Sequence, residues 1–478
     1  MRYGTLFKVS VLLGALFVSC VSTGSNSARE SERAQLLKSE NPNIRFAAQL
    51  SGLLEKQRWE EALQLFDTLS PEHRAEKRIQ YLYLSTLISA GKLTHAQELA
   101  EKLGQDGPTA SETVQLWYAH AMIAQAKRDV RKKKQYVEKI LAQDPHDLWA
   151  LTERGYDFLS VNDYAQAVQA FSRALRVEPR AQDARVGLGK VYYLQGKMQE
   201  AEAQYRQVLQ DTPEHEHALA ECARVKAETN RVLEAIRDLE RVVQLDPHDP
   251  AYWTDLGTYL SQAGKKERAA AAFERAVALS ADAYFAHIYL GGIYDELGRA
   301  EKAIEHYQRA VQLYPKYHFS FESLGVLFWE QQRWEEAREA FATALTYAPT
   351  NISYALMTAL CLCQMGQAHK AQHFMRTFIR TVDRTRREVE YFLCRLFVDL
   401  SGEQDMASRI SKIKSVPQRI RYSFYLAFFY ELGGRHLLAE KHYGEVESAR
   451  APSSFEHRLA VSALGRLRGR SSSLRTNP

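Results

Sequence analysis

Cysteine is scarce in this chain, five in 478 residues, and so few do not make a disulfide framework. Cys222, Cys361, Cys363 and Cys394 fall in predicted helices, and Cys361 and Cys363, two apart, point to different faces. Buried free thiols are the expectation. Beyond the first twenty residues no apolar run reaches the roughly 20 residues that a helix needs to cross a bilayer. There is no glycine-rich phosphate loop and no nucleophile elbow. His369 and His373 are four apart, and His215 and His217 flank Glu216. Neither pair has the third ligand and general base of a hydrolytic zinc site. The expectation is a non-enzyme without metal or cofactor; the alternative, a metal-dependent enzyme built on these histidine pairs, is one that metal analysis of the purified protein would test.

What is present is a period. Ala167, Ala201, Ala235, Ala269, Ala303, Ala337 and Ala371 are each 34 residues apart, and the beat returns at Ala439. Gly155, Gly189, Ala223, Gly257, Gly291, Gly325 and Ala359 precede them by 12. Phe171, Tyr205, Leu239, Phe273, Tyr307, Phe341 and Met375 follow one helical turn later, on the alanine face. Pro145, Pro179, Pro213, Pro247, Pro315, Pro349 and Pro417 share one phase and mark helix ends, with Ala281 and Asp383 in the two vacant slots. Two small residues, a large one and a proline per period describe two helices in close contact.

With Gly189, Ala201, Tyr205 and Pro213 as its small, small, large and proline positions, the chain resembles the tetratricopeptide repeat family. The resemblance implies an all-α, right-handed superhelical solenoid of antiparallel helix pairs, with an inner groove lined by the first helices. About twelve units fit the ruler. Residues 43–110 form N-terminal units anchored by Trp59, Ala62, Phe66, Gly91 and Ala96; a slip of three residues follows near Ser111, and 114–385 form a central array. In the unit from 114, Lys133 stands where alanine belongs. Residues 386–453 are divergent: Asp405, Arg409 and Lys412 take slots that should be small or apolar, while Met406, Ile410 and Ile413 keep helical spacing, which reads as a shifted helix and a hinge. Residues 454–478 are a capping helix, Phe455 to Leu467, and a basic tail.

Arg2 and Lys8 precede or flank the apolar run Val9 to Val18, too short to span a bilayer, so 1–19 reads as an export signal. Phe17, Val18, Ser19 and Cys20 resemble the lipobox of bacterial lipoproteins, which implies lipidation of Cys20; Phe17 departs from the usual leucine, and an ordinary signal cut near Ser19 is the alternative. Residues 20–42 then hold the lipidated cysteine and a flexible tether. The expected location is the bacterial cell envelope, held by lipid at the outer membrane, since no aspartate follows Cys20.

Charge divides unevenly. From Gly366 onward there are 20 Lys and Arg against 11 Asp and Glu, whereas Cys20 to Met365 carries 41 against 47. The densest basic stretch, Arg376, Arg380, Arg384, Arg386 and Arg387, is either a solvated face or a contact for anionic polysaccharide, lipid headgroups or acidic protein. On the groove side of the first helices stand Glu153, Asp183, Glu221, Glu228, Asp255, Asp295, Glu296, Glu322 and Glu330, opposed by Lys190 and Arg224. Trp149, Tyr156, Tyr193, Phe285, Tyr289, Phe319 and Trp329 lie among them. These carboxylates either keep a helix surface soluble, with the aromatics packed between repeats, or receive a protein or peptide that is cationic and partly apolar. This charge is wrong for gripping a carboxylate terminus, and nucleic acid is not an expected partner.

The leading functional expectation is a lipid-anchored envelope scaffold; the alternative is a surface adhesin for host protein or polysaccharide. Cys20→Ala should leave export intact and move the protein from the membrane to the soluble fraction. Retention of the variant with the membranes would rule out lipidation as the anchor.

Overall fold

The computed structural model describes residues 33–449 and 454–475. The expected export signal and Cys20 lie outside these residues, as does the start of the tether. Among the described residues every regular element is a helix, and none is long and apolar enough to cross a membrane. The chain forms two compact units, up to Val225 and from Lys226 onward. Each is a helical repeat solenoid of successive pairs, such as Gln182–Leu194 with Met198–Asp211 in the first and Tyr284–Glu296 with Ala300–Leu313 in the second.

In five of the pairs the contact is a ring seated on bare backbone. The alanines from Ala167 to Ala337 and the large residues Phe171, Tyr205, Leu239, Phe273 and Phe341 are all fully buried. Each ladder glycine meets an aromatic ring: a Cβ on Gly189 would lie 2.6 Å from Tyr205, one on Gly257 2.9 Å from Phe273, and one on Gly325 2.8 Å from Phe341. Phe171 is gripped twice, because a Cβ on Gly155 would come within 2.6 Å of its ring and one on Gly187 within 2.4 Å. Gly187 belongs to the next first helix, Gln182–Leu194, so one ring joins its own pair and the following one. The interior is close-packed to the point where a methyl group has no space.

Helix ends follow the same ruler. Second helices stop at Gln143, Val177, Asp211, Leu245, Leu313 and Tyr347, two residues short of each ladder proline, because the residue before proline is pushed out of the helical region. Helix Lys266–Leu279 stops in phase with alanine in that slot, so proline is not the sole determinant. Pro417 does not end a helix: it lies in the first turn of Val416–Leu432, where its missing N–H costs nothing. Between the two helices of a pair, Asn162, Gly196, Asn230, Gly264, Gly298, Gln332, Gly366, Leu400 and Gly434 all have positive φ, again every 34 residues. Glycine and asparagine suit that conformation, but Leu400 at φ 55° is forced into it.

Departures from the pattern are compensated locally. Helix Ala110–Ala126 absorbs the three-residue slip by starting early, with a capping box between Thr109 and Glu112. Lys133, in an alanine slot, pairs with Glu153 at 2.7 Å and Asp157 at 2.9 Å. In the divergent region, helix Glu403–Ser411 is short and buries Met406 and Ile410, one residue beyond the usual small and large slots. Asp405 and Arg409 thereby turn outward and pair with each other at 2.8 Å.

The end of the second unit is closed by its own chain. Every residue of Ile352–Gln364 from Ile352 to Cys361 is buried, as is every residue from Tyr422 to Tyr430 in Val416–Leu432. Helices apolar all round have no face left for solvent. The Tyr425 hydroxyl donates to the Ser353 carbonyl at 3.3 Å, and Ser353 Oγ donates to the buried Glu456 carboxylate at 2.6 Å. Glu456 begins the terminal helix Phe455–Arg475, which buries Leu459, Ala460, Ala463, Leu464 and Leu467.

Gly187→Ala should destabilise the protein by about 1–3 kcal/mol through overpacking against Phe171. Adding Phe171→Leu should cost less in that background than in the native chain, because the two sites touch. Denaturant melts of the four chains decide it, and strict additivity contradicts the ring-on-glycine contact.

Candidate functional site

The first helices from Leu148–Ser160 to His318–Glu330 present a face that the pairing does not consume, and most of the carboxylates and rings of interest stand on it, with Glu221 and Trp329 buried. In the first unit, Trp149, Glu153 and Tyr156 lie on Leu148–Ser160, and Asp183, Lys190 and Tyr193 on Gln182–Leu194. Glu221 and Arg224 are one turn apart on the next first helix and pair at 3.2 Å. The Tyr156 hydroxyl donates to the Asp183 carbonyl at 3.1 Å. Its ring packs edge-on to Phe171 at 5.1 Å, and Trp149 packs likewise on Tyr118 at 5.1 Å. These two rings therefore take part in packing, while Glu153 is held by Lys133.

In the second unit, Glu228, which stands just past the boundary, and Asp255, on helix Pro250–Gln262, lead to helices Tyr284–Glu296 and His318–Glu330. Phe285 is 56% exposed, Tyr289 42% and Phe319 49%. Tyr289 lies parallel on Phe273 at 5.1 Å, leaving its other side open. Glu322 accepts a 2.7 Å bond from the Tyr354 hydroxyl; burial nevertheless pushes its carboxyl above the usual range. Glu296 pairs with Lys266 at 2.9 Å.

Trp329 is a correction. It is 4% exposed, edge-on to Trp334 at 5.0 Å and to Phe428 at 5.5 Å, because helix Val416–Leu432 covers it. It is a core residue and has no free face for a ligand.

A residue missed in the sequence reading lies opposite Asp295 and Glu330. Arg458, on the terminal helix, donates to both Asp295 oxygens at 2.5 and 2.9 Å and to Glu330 Oε1 at 2.7 Å, with a further contact to Oε2. Burial opposes its charge, and the two carboxylates outweigh that cost, so the guanidinium stays ionised. Its signal was the +9 surplus of the C-terminal part, but no spacing rule connects it to those carboxylates. With Lys133, Lys266 and Arg458 added to Lys190 and Arg224, the face is less negative than a residue count implies. Among the described residues Asp183, Glu228 and Glu322 form no ion pair.

The basic stretch is likewise partly matched. Arg387 pairs with Glu390 and donates to the Thr350 carbonyl at 2.7 Å, Arg386 lies 3.7 Å from Asp383, and Arg384 sits over the rings of Tyr391 and Phe392. Arg376 and Arg380 are exposed on and just beyond helix Ala368–Phe378, alongside exposed His369 and His373. Among the described residues no group of three or more His, Cys, Asp and Glu side chains is placed to hold a metal ion. Cys361, Cys363 and Cys394 are free thiols, and burial pushes that of Cys394 up to about 12.

Models described as tetratricopeptide repeat match residues 152–216, 193–257 and 254–318. A TPR repeat-containing protein of Pseudomonas aeruginosa is 31% identical over 170 residues, 35% of this chain and 28% of that one. Cellulose synthase operon protein C of Xanthomonas axonopodis pv. citri is 34% identical over 148 residues, 29% of this chain and 10% of that one. The matched stretch thus spans less than a third of either relative. The crystal structure of MamA aligns with 34% of this chain and 95% of its own at 26% identity, with a TM-score of 0.33.

Replacing Phe285 and Phe319 by alanine should change stability by less than about 0.5 kcal/mol each, as for exposed positions. Trp329→Ala should cost about 3–5 kcal/mol. Chemical denaturation separates the two classes, and a large loss at Phe285 or Phe319 would place them in the core.

Proposed function

The chain is a tetratricopeptide-repeat protein, and from that premise we propose that it is an interaction scaffold whose first-helix faces receive a cationic, partly apolar segment of another protein. Repeat proteins of this family mediate protein–protein contacts, and a solenoid offers an extended face for them. The observation that carries the chemistry is Arg458: where this face meets a side chain from outside the repeats, that side chain is an arginine, bonded to Asp295 and Glu330. Half-exposed rings at Phe285, Tyr289 and Phe319 supply apolar contact on the same two helices. Exposed aromatics beside carboxylates attract guanidinium and ammonium groups and desolvate the residues next to them.

In this reading Cys20 carries lipid and residues 21–42 tether the solenoid to the bacterial envelope, at the outer membrane. Several acyl chains give firm attachment, at about 0.8 kcal/mol per buried methylene. The solenoid then works at a membrane surface as a fixed receptor for proteins of that compartment.

Selection of random peptides on the immobilised protein tests the proposal. Enriched peptides should combine arginine or lysine with an aromatic or aliphatic residue. Their binding should weaken as salt shortens the roughly 8 Å physiological screening length. Phe285→Ala with Phe319→Ala should raise their dissociation rate. Enrichment of acidic or purely polar peptides, or indifference to both substitutions, sinks it.

A further inference from the structure

Asp295 and Glu330 come from successive first helices, Tyr284–Glu296 and His318–Glu330, and together present four oxygens to one guanidinium. The ring of Tyr307, seated where a Cβ on Gly291 would lie 2.8 Å away, is in electrostatic reach of both Asp295 and Arg458. This is an arrangement specific for a planar, forked cation, which a carboxylate pair binds more tightly than it binds a point charge.

Arg458 is not what holds its own helix in place. Leu459, Ala460, Ala463, Leu464 and Leu467 are buried from the same helix, and Glu456 is locked by Ser353 and Tyr425. Nor does a cation favour this position, since Arg458 lies in the first turn of Phe455–Arg475, where the helix macrodipole repels positive charge. Its side chain remains 37% exposed, so it can leave the carboxylates by rotating its own torsions while the helix stays docked.

We propose that Asp295 and Glu330 are a guanidinium-binding site for a partner's arginine, and that Arg458 is its resting occupant, which the incoming arginine replaces. This rests on the reading of the first-helix face as the partner surface and adds to it a ligand group and a gate. Phe285 and Asp295 are ten positions apart on one helix, about 15 Å at the helical rise. An extended peptide covers that in about four to five residues. The partner segment therefore carries its arginine about four positions from an apolar residue that rests on Phe285, or about five from one that rests on Phe319.

The probe is the blocked peptide acetyl-Phe-Ser-Gly-Ser-Arg-amide, with citrulline in place of arginine as its neutral isostere, titrated calorimetrically into the full chain. If Arg458 occupies the site about nine-tenths of the time, R458M should bind the arginine peptide about tenfold more tightly than the native chain. The citrulline peptide should show no gain, and D295N with E330Q should abolish the gain in R458M. Equal affinity of R458M and the native chain overturns the proposal. If R458M does not fold, D295N with E330Q in the native chain decides: lost peptide binding supports the site and unchanged binding refutes it. A gain in R458M together with no basic enrichment in the native peptide selection leaves the site standing and removes the scaffold reading, so the two failures are distinct.

Discussion

In the five repeats whose ladder residue is glycine, the helix pair depends on a ring pressed against a backbone that has no side chain beneath it; Ala223 with Leu239 and Ala359 with Met375 fill the same slots without a ring. Where a Cβ would stand 2.4–2.9 Å from an aromatic ring, the two helices can approach only if the facing residue is glycine. That approach brings the alanine four residues earlier into full burial and sets the distance between helices. Since Phe171 is gripped by glycines of two successive first helices, the same contact also sets the distance between repeats. In these repeats pairing, and at Phe171 the packing of one repeat on the next, follow from one constraint.

The electrostatics of the exposed face follow from what that packing leaves over. Lys133 cannot act as a small residue, so it reaches Glu153 and Asp157. Asp405 and Arg409 cannot enter the core, so the helix buries the neighbouring Met406 and Ile410. Arg458 completes the pattern from outside the repeats. Charge counted along the sequence overstates the negative face because these partners are supplied by other elements.

Closure at the C-terminal end limits where a ligand can bind in the second unit. Helices Ile352–Gln364 and Val416–Leu432 are buried around their circumference over most of their length, and Trp329 is covered by Phe428. On the first helices of this unit, half-exposed rings stand at Phe285, Tyr289 and Phe319. Proposed partner contacts concentrate there for that reason, next to the carboxylates that hold Arg458.

The sequence by itself determined the helix pair, its length, its small and large core positions and most helix ends, because these are local or nearest-neighbour requirements that recur every 34 residues. The left-handed turn position was equally periodic, but with Gly, Asn, Gln and Leu sharing the slot it was not read. The all-round apolar character of Ile352–Gln364 and Val416–Leu432 was also present as a sign of closure. Which ring each glycine would meet, the loss of Trp329 to the core and the pairing of Arg458 with Asp295, 163 positions away, were decided only by tertiary structure. A periodic sequence specifies contacts between neighbours; contacts between elements outside that period have no spacing, and only the folded chain brings them together.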